Sequence, residues 1–162
     1  MYLPSQAFAV LFTTLLPYLS TGQVRKPHFQ DYPPTIPYTG PRAPLKLHPA
    51  SDAWMYRTRI REAARHKPNF AGHYILASWG CGAECLESVI IDARTGEVYL
   101  VDFTTCCWFP CCGEAADVPD TFAPVDFRLT SKLLIFTGLR NEEGSRGTHY
   151  YKFQGGQLIE LR

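Results

Sequence analysis

The chain has 162 residues, of which 46% are hydrophobic and 19% charged, with a formal net charge of +1. That length suits one domain behind an export signal, and the apolar fraction suffices for a packed core, so disorder of the whole is excluded. The near-neutral balance argues against a dedicated nucleic-acid binder, which would carry a strongly basic face, and gives no reason to expect an acidic polymer as substrate.

Residues 1–22 read as a signal peptide. Ala7 to Leu16 is an uncharged apolar run, about the length of a signal-peptide core and too short to span a bilayer. Pro17 breaks a helix there, and Ser20-Thr21-Gly22 supplies small residues for cleavage before Gln23. The segment before Ala7 lacks the usual Lys or Arg. The expectation is a periplasmic or secreted protein with no stable membrane insertion after cleavage.

Residues 23–50 form a Pro-rich arm. Seven prolines lie between Pro27 and Pro49, and each fixes φ and removes a backbone donor, so neither helix nor inner strand fits. Phe29, Tyr32, Ile36 and Tyr38 favour a strap laid over the domain rather than a free linker.

Residues 51–162 form one α+β domain. Ser51 resembles an N-cap, and Ala53, Tyr56, Ile60 and Ala63 recur at helical spacing until Pro68 stops the element. The other faces carry Arg57, Arg59, Arg61, Arg65 and Lys67, which read as a solvated helix face.

From Phe70 the period changes to two, with β-branched and aromatic residues. Seven strands are expected, at about 70–80, 86–92, 97–103, 125–129, 132–138, 148–153 and 157–161. Arg94-Thr95-Gly96 and Gly155-Gly156 are tight-turn signals, and Thr130-Ser131 is a weaker one. The strand–loop–hairpin order occurs twice, which suggests two repeated three-stranded units in an antiparallel up-and-down meander. Such a meander sends three loops to one rim: Cys81–Cys85, Thr104–Pro124 and Leu139–Gly147. The tight turns go to the other.

All six cysteines, Cys81, Cys85, Cys106, Cys107, Cys111 and Cys112, fall in those rim loops. An even count in an exported chain reads as a disulfide framework whose pairing the sequence leaves open, with 15 possibilities. Adjacent cysteines rarely bond each other, so each member of the two Cys-Cys pairs is expected to find its partner elsewhere. Trp108 and Phe109, between those pairs, either cover the core or anchor a partner.

No catalytic or cofactor motif stands out, and no cofactor is expected. One alternative is a hydrolase of envelope material, either carboxylate-dependent or with Cys81 as nucleophile, His149 as base and Glu84 or Asp102 as orienter. A second is a thiolate metal site that adds His73 or His149 to the sulfurs, although the spacing is not the paired C-x-x-C of zinc ribbons.

Phe70-Ala71-Gly72-His73-Tyr74, Trp79-Gly80-Cys81-Gly82 through Cys85, and Ile91-Asp92 with Thr95-Gly96-Glu97-Val98-Tyr99 resemble a family of small uncharacterised bacterial exported proteins. The resemblance covers about residues 69–102 and, more weakly, Ser131–Gly138 and Tyr150–Leu161, and it implies location rather than mechanism. Small periplasmic inhibitors and immunity proteins share the general design of signal, compact β domain and loop rim, by analogy only. The expectation is an exported, non-catalytic binding module that meets a protein or cell-envelope component through its cysteine rim.

Overall fold

The computed structural model describes residues 25–34, 37–108 and 122–161. The signal-like segment 1–22, and with it Cys111, Cys112 and Phe109, lies outside them.

The Pro-rich segment lies against the domain as a strap. Its few available donors are used to hold it there. The N–H of Tyr38 donates to the carbonyl of Gly72 at 2.8 Å, that of Ala43 to Ala93 at 2.9 Å, and that of Lys46 to Gly96 at 2.8 Å. Lys46 Nζ also reaches Glu97 Oε1 at 2.7 Å. The strap crosses so close to the Arg94-Thr95-Gly96 turn that a Cβ on Gly96 would sit 1.9 Å from the Pro44 carbonyl oxygen. Only glycine fits there, which is a packing reason for a residue that local turn chemistry already favours.

Ser51 does not cap the helix through its side chain; its hydroxyl donates back to the His48 carbonyl at 2.7 Å. The chain instead enters through a 3₁₀ stretch, Asp52–Tyr56, and continues as the α-helix α1, Arg57–Ala63. Ala53, Ile60 and Ala63 are buried, while Arg57, Arg59, Arg61 and Arg65 are exposed. The guanidinium groups of Arg57 and Arg61 lie over the Trp54 ring at 5.6 and 5.7 Å. At the other end Arg42 of the strap donates to the carbonyls of Arg65 and His66 at 2.6 and 2.9 Å. A cation there satisfies carbonyls left open at a helix C-terminus.

Among the described residues eight strands form one open antiparallel sheet: β1 Tyr74–Gly82, β2 Cys85–Asp92, β3 Val98–Leu100, β4 Thr105–Cys106, β5 Val125–Phe127, β6 Leu133–Arg140, β7 Glu143–Gln154 and β8 Gln157–Leu161. The order is β1-β2-β4-β6-β7-β8, with β3 on β2 and β5 on β6. With one helix and this meander-like sheet, the expected α+β class holds. Two antiparallel units, β1-β2-β3 and β5-β6-β7-β8, are joined through the two-residue β4. That eighth strand falls in a stretch expected to be loop. The first strand begins at Tyr74 rather than Phe70, because Ala71 and Gly72 turn the chain with φ of 44° and 82°.

Cores lie on both faces of the first unit, and this explains its sequence. Ile75, Val89 and Ile91 face the helix and strap with Ile60 and Ala63. Leu76 and Ile90, from the alternate positions, face a second cluster with Leu134, Phe136, Tyr151 and Phe153 of the other unit. A strand buried on both sides reads as the unbroken apolar run Val89-Ile90-Ile91. Phe153 is the hub of the inner cluster, with ring centroids 5.8 Å from Phe70, 4.8 Å from Tyr74 and 5.7 Å from Tyr99. A buried side chain of this size stabilises the fold by roughly 2–3 kcal/mol. No helix among the described residues is long and apolar enough to cross a membrane.

Candidate functional site

Three pieces of chain meet at the end of the sheet where β1 finishes and β2 starts. The first is the β1–β2 hairpin. Gly80 pairs with Leu86 and Gly82 with Cys85, so the register slips by one residue and bulges at Cys81. Bulges re-aim side chains. Cys81 and Cys85 are joined by a disulfide, with Cα atoms 5.2 Å apart, which clips the Ala83-Glu84 turn. The two cysteines of this hairpin are therefore bonded to each other across the turn.

The second piece is β4 and the residues after it. Cys106 pairs with Cys85 on one side and Leu139 on the other, and is 1% exposed. Cys107 then leaves the strand with φ of 52°. Its N–H donates to the Glu84 carbonyl at 3.0 Å. Its own carbonyl accepts from Arg146 Nε at 2.7 Å. Cys106 and Cys107 carry free thiols, with sulfur atoms 3.0 Å apart. The half-buried Trp108 follows.

The third piece is the β6–β7 hairpin. Residues 139–147 were expected to be a long loop, but strand pairing continues to Arg140 opposite Glu143, leaving a two-residue turn. Asn141 and Glu142 both have positive φ, 52° and 61°, the backbone of a type I′ hairpin turn. Asn141 also pairs with the second piece, donating its N–H to the Thr104 carbonyl at 3.0 Å and accepting the Thr104 N–H on Oδ1 at 2.9 Å. Beside this turn is an open depression of about 420 Å³ lined by Asp102, Phe103, Arg140, Asn141, Glu143 and Gly144.

The rim is thus hydrogen-bonded tip to tip: hairpin one to Cys107, Cys107 to Arg146, Asn141 to Thr104. Four of the six cysteines are brought together there. No sequence signal points to Arg146, Asn141 or Glu84 as the connecting residues, because each contributes through backbone geometry or a single long side chain.

The chemistry of the rim gives little to a nucleophile. The Cys81 sulfur is held in the disulfide. The Cys107 thiol is pushed up to about 11, first by its hydrogen bond to Cys106, then by burial, then by the nearby Cys106, Glu142 and Glu84. Thiolate, the reactive form, is scarce there at neutral pH. His149 sits on β7 with Nδ1 3.9 Å from Glu160 Oε1. Arg140 joins the same carboxylate at 3.2 Å and donates to the Tyr151 hydroxyl. His73 lies at the far end of the sheet beside Asp92, where β1 begins. Among the described residues no three His, Cys, Asp or Glu side chains gather where they could hold a metal ion.

No family model matches this chain, and no curated protein or solved structure matches it.

Proposed function

We propose that this is an exported, non-catalytic binding module, periplasmic or secreted, that recognises a protein or cell-envelope component through its cysteine rim. The observation that carries the reading is the tip-to-tip bonding of three chain segments around Cys107. A surface fixed in this way loses less conformational freedom on binding than separate loops would. A disulfide-clipped hairpin, a half-buried Trp and charges of both signs (Glu84, Glu143, Arg140 and Arg146) are the ingredients of such a surface.

The resemblance of residues 69–102 to small exported bacterial proteins, and the signal-like segment 1–22, support the location. Capture from an envelope extract tests the reading, with wild type compared against Trp108→Ala, Arg146→Ala and, on the helix side, Met55→Ala. Met55 is 74% exposed and belongs to the 3₁₀ stretch Asp52–Tyr56, outside the three segments that form the rim. Loss of a defined partner in the two rim variants alone supports the assignment. If all four proteins recover the same material, the rim is not the binding surface.

A further inference from the structure

We propose that Cys106 and Cys107 are a redox-active vicinal dithiol, a modification site that closes to a Cys106–Cys107 disulfide by exchange with a small-molecule or protein disulfide. The proposal stands apart from the binding reading, because it concerns the chemistry of two sulfurs and not what the rim touches.

In an extended strand, successive side chains point to opposite faces, which carries adjacent sulfurs apart. Here they lie 3.0 Å apart. The departure from strand geometry is local: Cys106 is the last residue of β4, and Cys107 takes a left-handed φ of 52° that folds its side chain back towards Cys106. A residue with a Cβ is held in that region only where its surroundings impose it. Both polar groups of the Cys107 backbone are engaged, the N–H with Glu84 and the carbonyl with Arg146. The rim therefore holds the backbone in the conformation that gathers the two sulfurs. A disulfide needs them at about 2.05 Å, a closure of roughly 1 Å. Consecutive Cα atoms lie about 3.8 Å apart, below the usual disulfide range, so the eight-membered ring closes by side-chain rotation together with adjustment of the intervening peptide. Cys85, the strand partner of Cys106, has its sulfur already committed to Cys81. Among the described residues, the thiols of Cys106 and Cys107 have each other.

Exposure sets the order of steps. Cys106 is buried and Cys107 only half-buried, so Cys107 meets the oxidant first. Its thiolate attacks one sulfur of the incoming disulfide, forming a mixed disulfide and releasing one thiolate, which takes up a proton. The Cys106 thiolate then attacks the Cys107 sulfur and expels the second. The two cysteines lose two protons and two electrons, and the incoming disulfide is reduced to two thiols. The high pKa of Cys107 makes the first step faster as pH rises above neutral.

The wild-type sequence suits a direct test. Chymotryptic cleavage after Phe103 and Trp108 releases Thr104–Trp108, which contains both cysteines and separates them from Cys111 and Cys112. The protein is reduced under native conditions, exposed to oxidised glutathione, quenched in acid, alkylated and digested. The expected fragment is unalkylated and two hydrogens lighter than the dithiol, and reduced glutathione restores two alkylation sites. A fragment linked to Cys111 or Cys112, or to the peptide carrying Cys81 and Cys85, overturns the proposal. So does a lasting glutathione adduct on Cys107, or two alkylated thiols after oxidation.

Discussion

Nε2 of His73 lies 3.8 Å from Oδ2 of Asp92, and both side chains are almost fully buried. Neither ring nitrogen has a hydrogen bond among the described residues. Burial holds the His73 pKa below its ordinary value, and Arg94 and Lys132 push the same way, while Asp92 opposes them in part. A lowered folded-state pKa means that the unfolded chain binds the proton more readily. The contribution to stability is therefore complete above the unfolded value of about 6.5 and is lost as pH falls through the folded one. Thermal midpoints should decline from neutral pH towards pH 5 in wild type, and His73→Gln should flatten that decline. Glu87, buried and raised by desolvation, works in the opposite sense, so the comparison is made as a difference between the two proteins at each pH. Equal slopes would remove His73 from the account.

The β7–β8 turn predicts a contrast between two adjacent glycines. Gly155 and Gly156 both have positive φ, 61° and 83°. A Cβ on Gly155 meets nothing within 4 Å, whereas one on Gly156 comes within 2.4 Å of the Tyr99 ring. Gly155→Asn should stay within about 0.5 kcal/mol of wild type, because Asn suits the first position of a type I′ turn. Gly156→Ala should cost roughly 2–4 kcal/mol from left-handed strain plus displacement of an aromatic ring. Urea midpoints at one pH measure both, and similar losses at the two positions would mean that Tyr99 yields freely.

The difference between these glycines was not legible in the sequence, although the turn itself was. Gly155-Gly156 between alternating strands marks a hairpin by local chemistry alone, but the Tyr99 ring comes from a distant strand. The same distinction runs through the fold. Helical spacing from Ala53 to Ala63 and the run Val89-Ile90-Ile91 are local patterns, and the structure has elements there. β4 has no sequence signature, because two residues within a cysteine cluster have no measurable period. The β6–β7 hairpin has the composition of a loop, because Gly138, Gly144 and Gly147 interrupt its strands and Asn141-Glu142 lacks the usual Gly of a tight turn. At the candidate site, the meander order was enough to place Cys81–Cys85 and Cys106–Cys107 at a common rim. Which sulfurs approach which depends on the bulge at Cys81 and the left-handed Cys107, and neither has a sequence signature.

The strap offers a test of long-range attachment. Arg42 donates to two carbonyls at the end of α1, 23 and 24 residues further along the chain. Arg42→Ala should destabilise by about 1 kcal/mol, below the roughly 1.5–3 kcal/mol of hydrogen bonds to a charged group because the site is exposed. Hydrogen exchange should accelerate first at the amides of Ala64, Arg65 and His66, whose acceptors lie in this last turn. Lys at this position should recover only part of the loss, since an ammonium cannot fork across both carbonyls. Acceleration spread evenly over the sheet would point to global destabilisation and against a helix-end attachment.

The Cys81–Cys85 disulfide should matter more for the rim than for the fold. It closes a loop with a sequence separation of 4. The chain-entropy relation gives a short closure of this kind about 2 kcal/mol, well below what a bond between Cys81 and the 106–112 cluster would contribute. Both cysteines lie outside the two core clusters, on a hairpin tip exposed from Gly80 to Glu84. Cys81→Ser with Cys85→Ser should therefore leave a cooperatively folding domain whose thermal midpoint falls by roughly 8 °C or less. The local effect should be larger. Glu84, held at φ of 45° by the clipped turn, presents the carbonyl that accepts the Cys107 N–H. Releasing the clip frees that carbonyl, so the Cys107 amide should exchange with solvent faster in the double variant, by more than the global loss of stability accounts for. An unchanged Cys107 exchange rate, with the midpoint lowered as stated, would show that Arg146 and β4 alone hold the rim together.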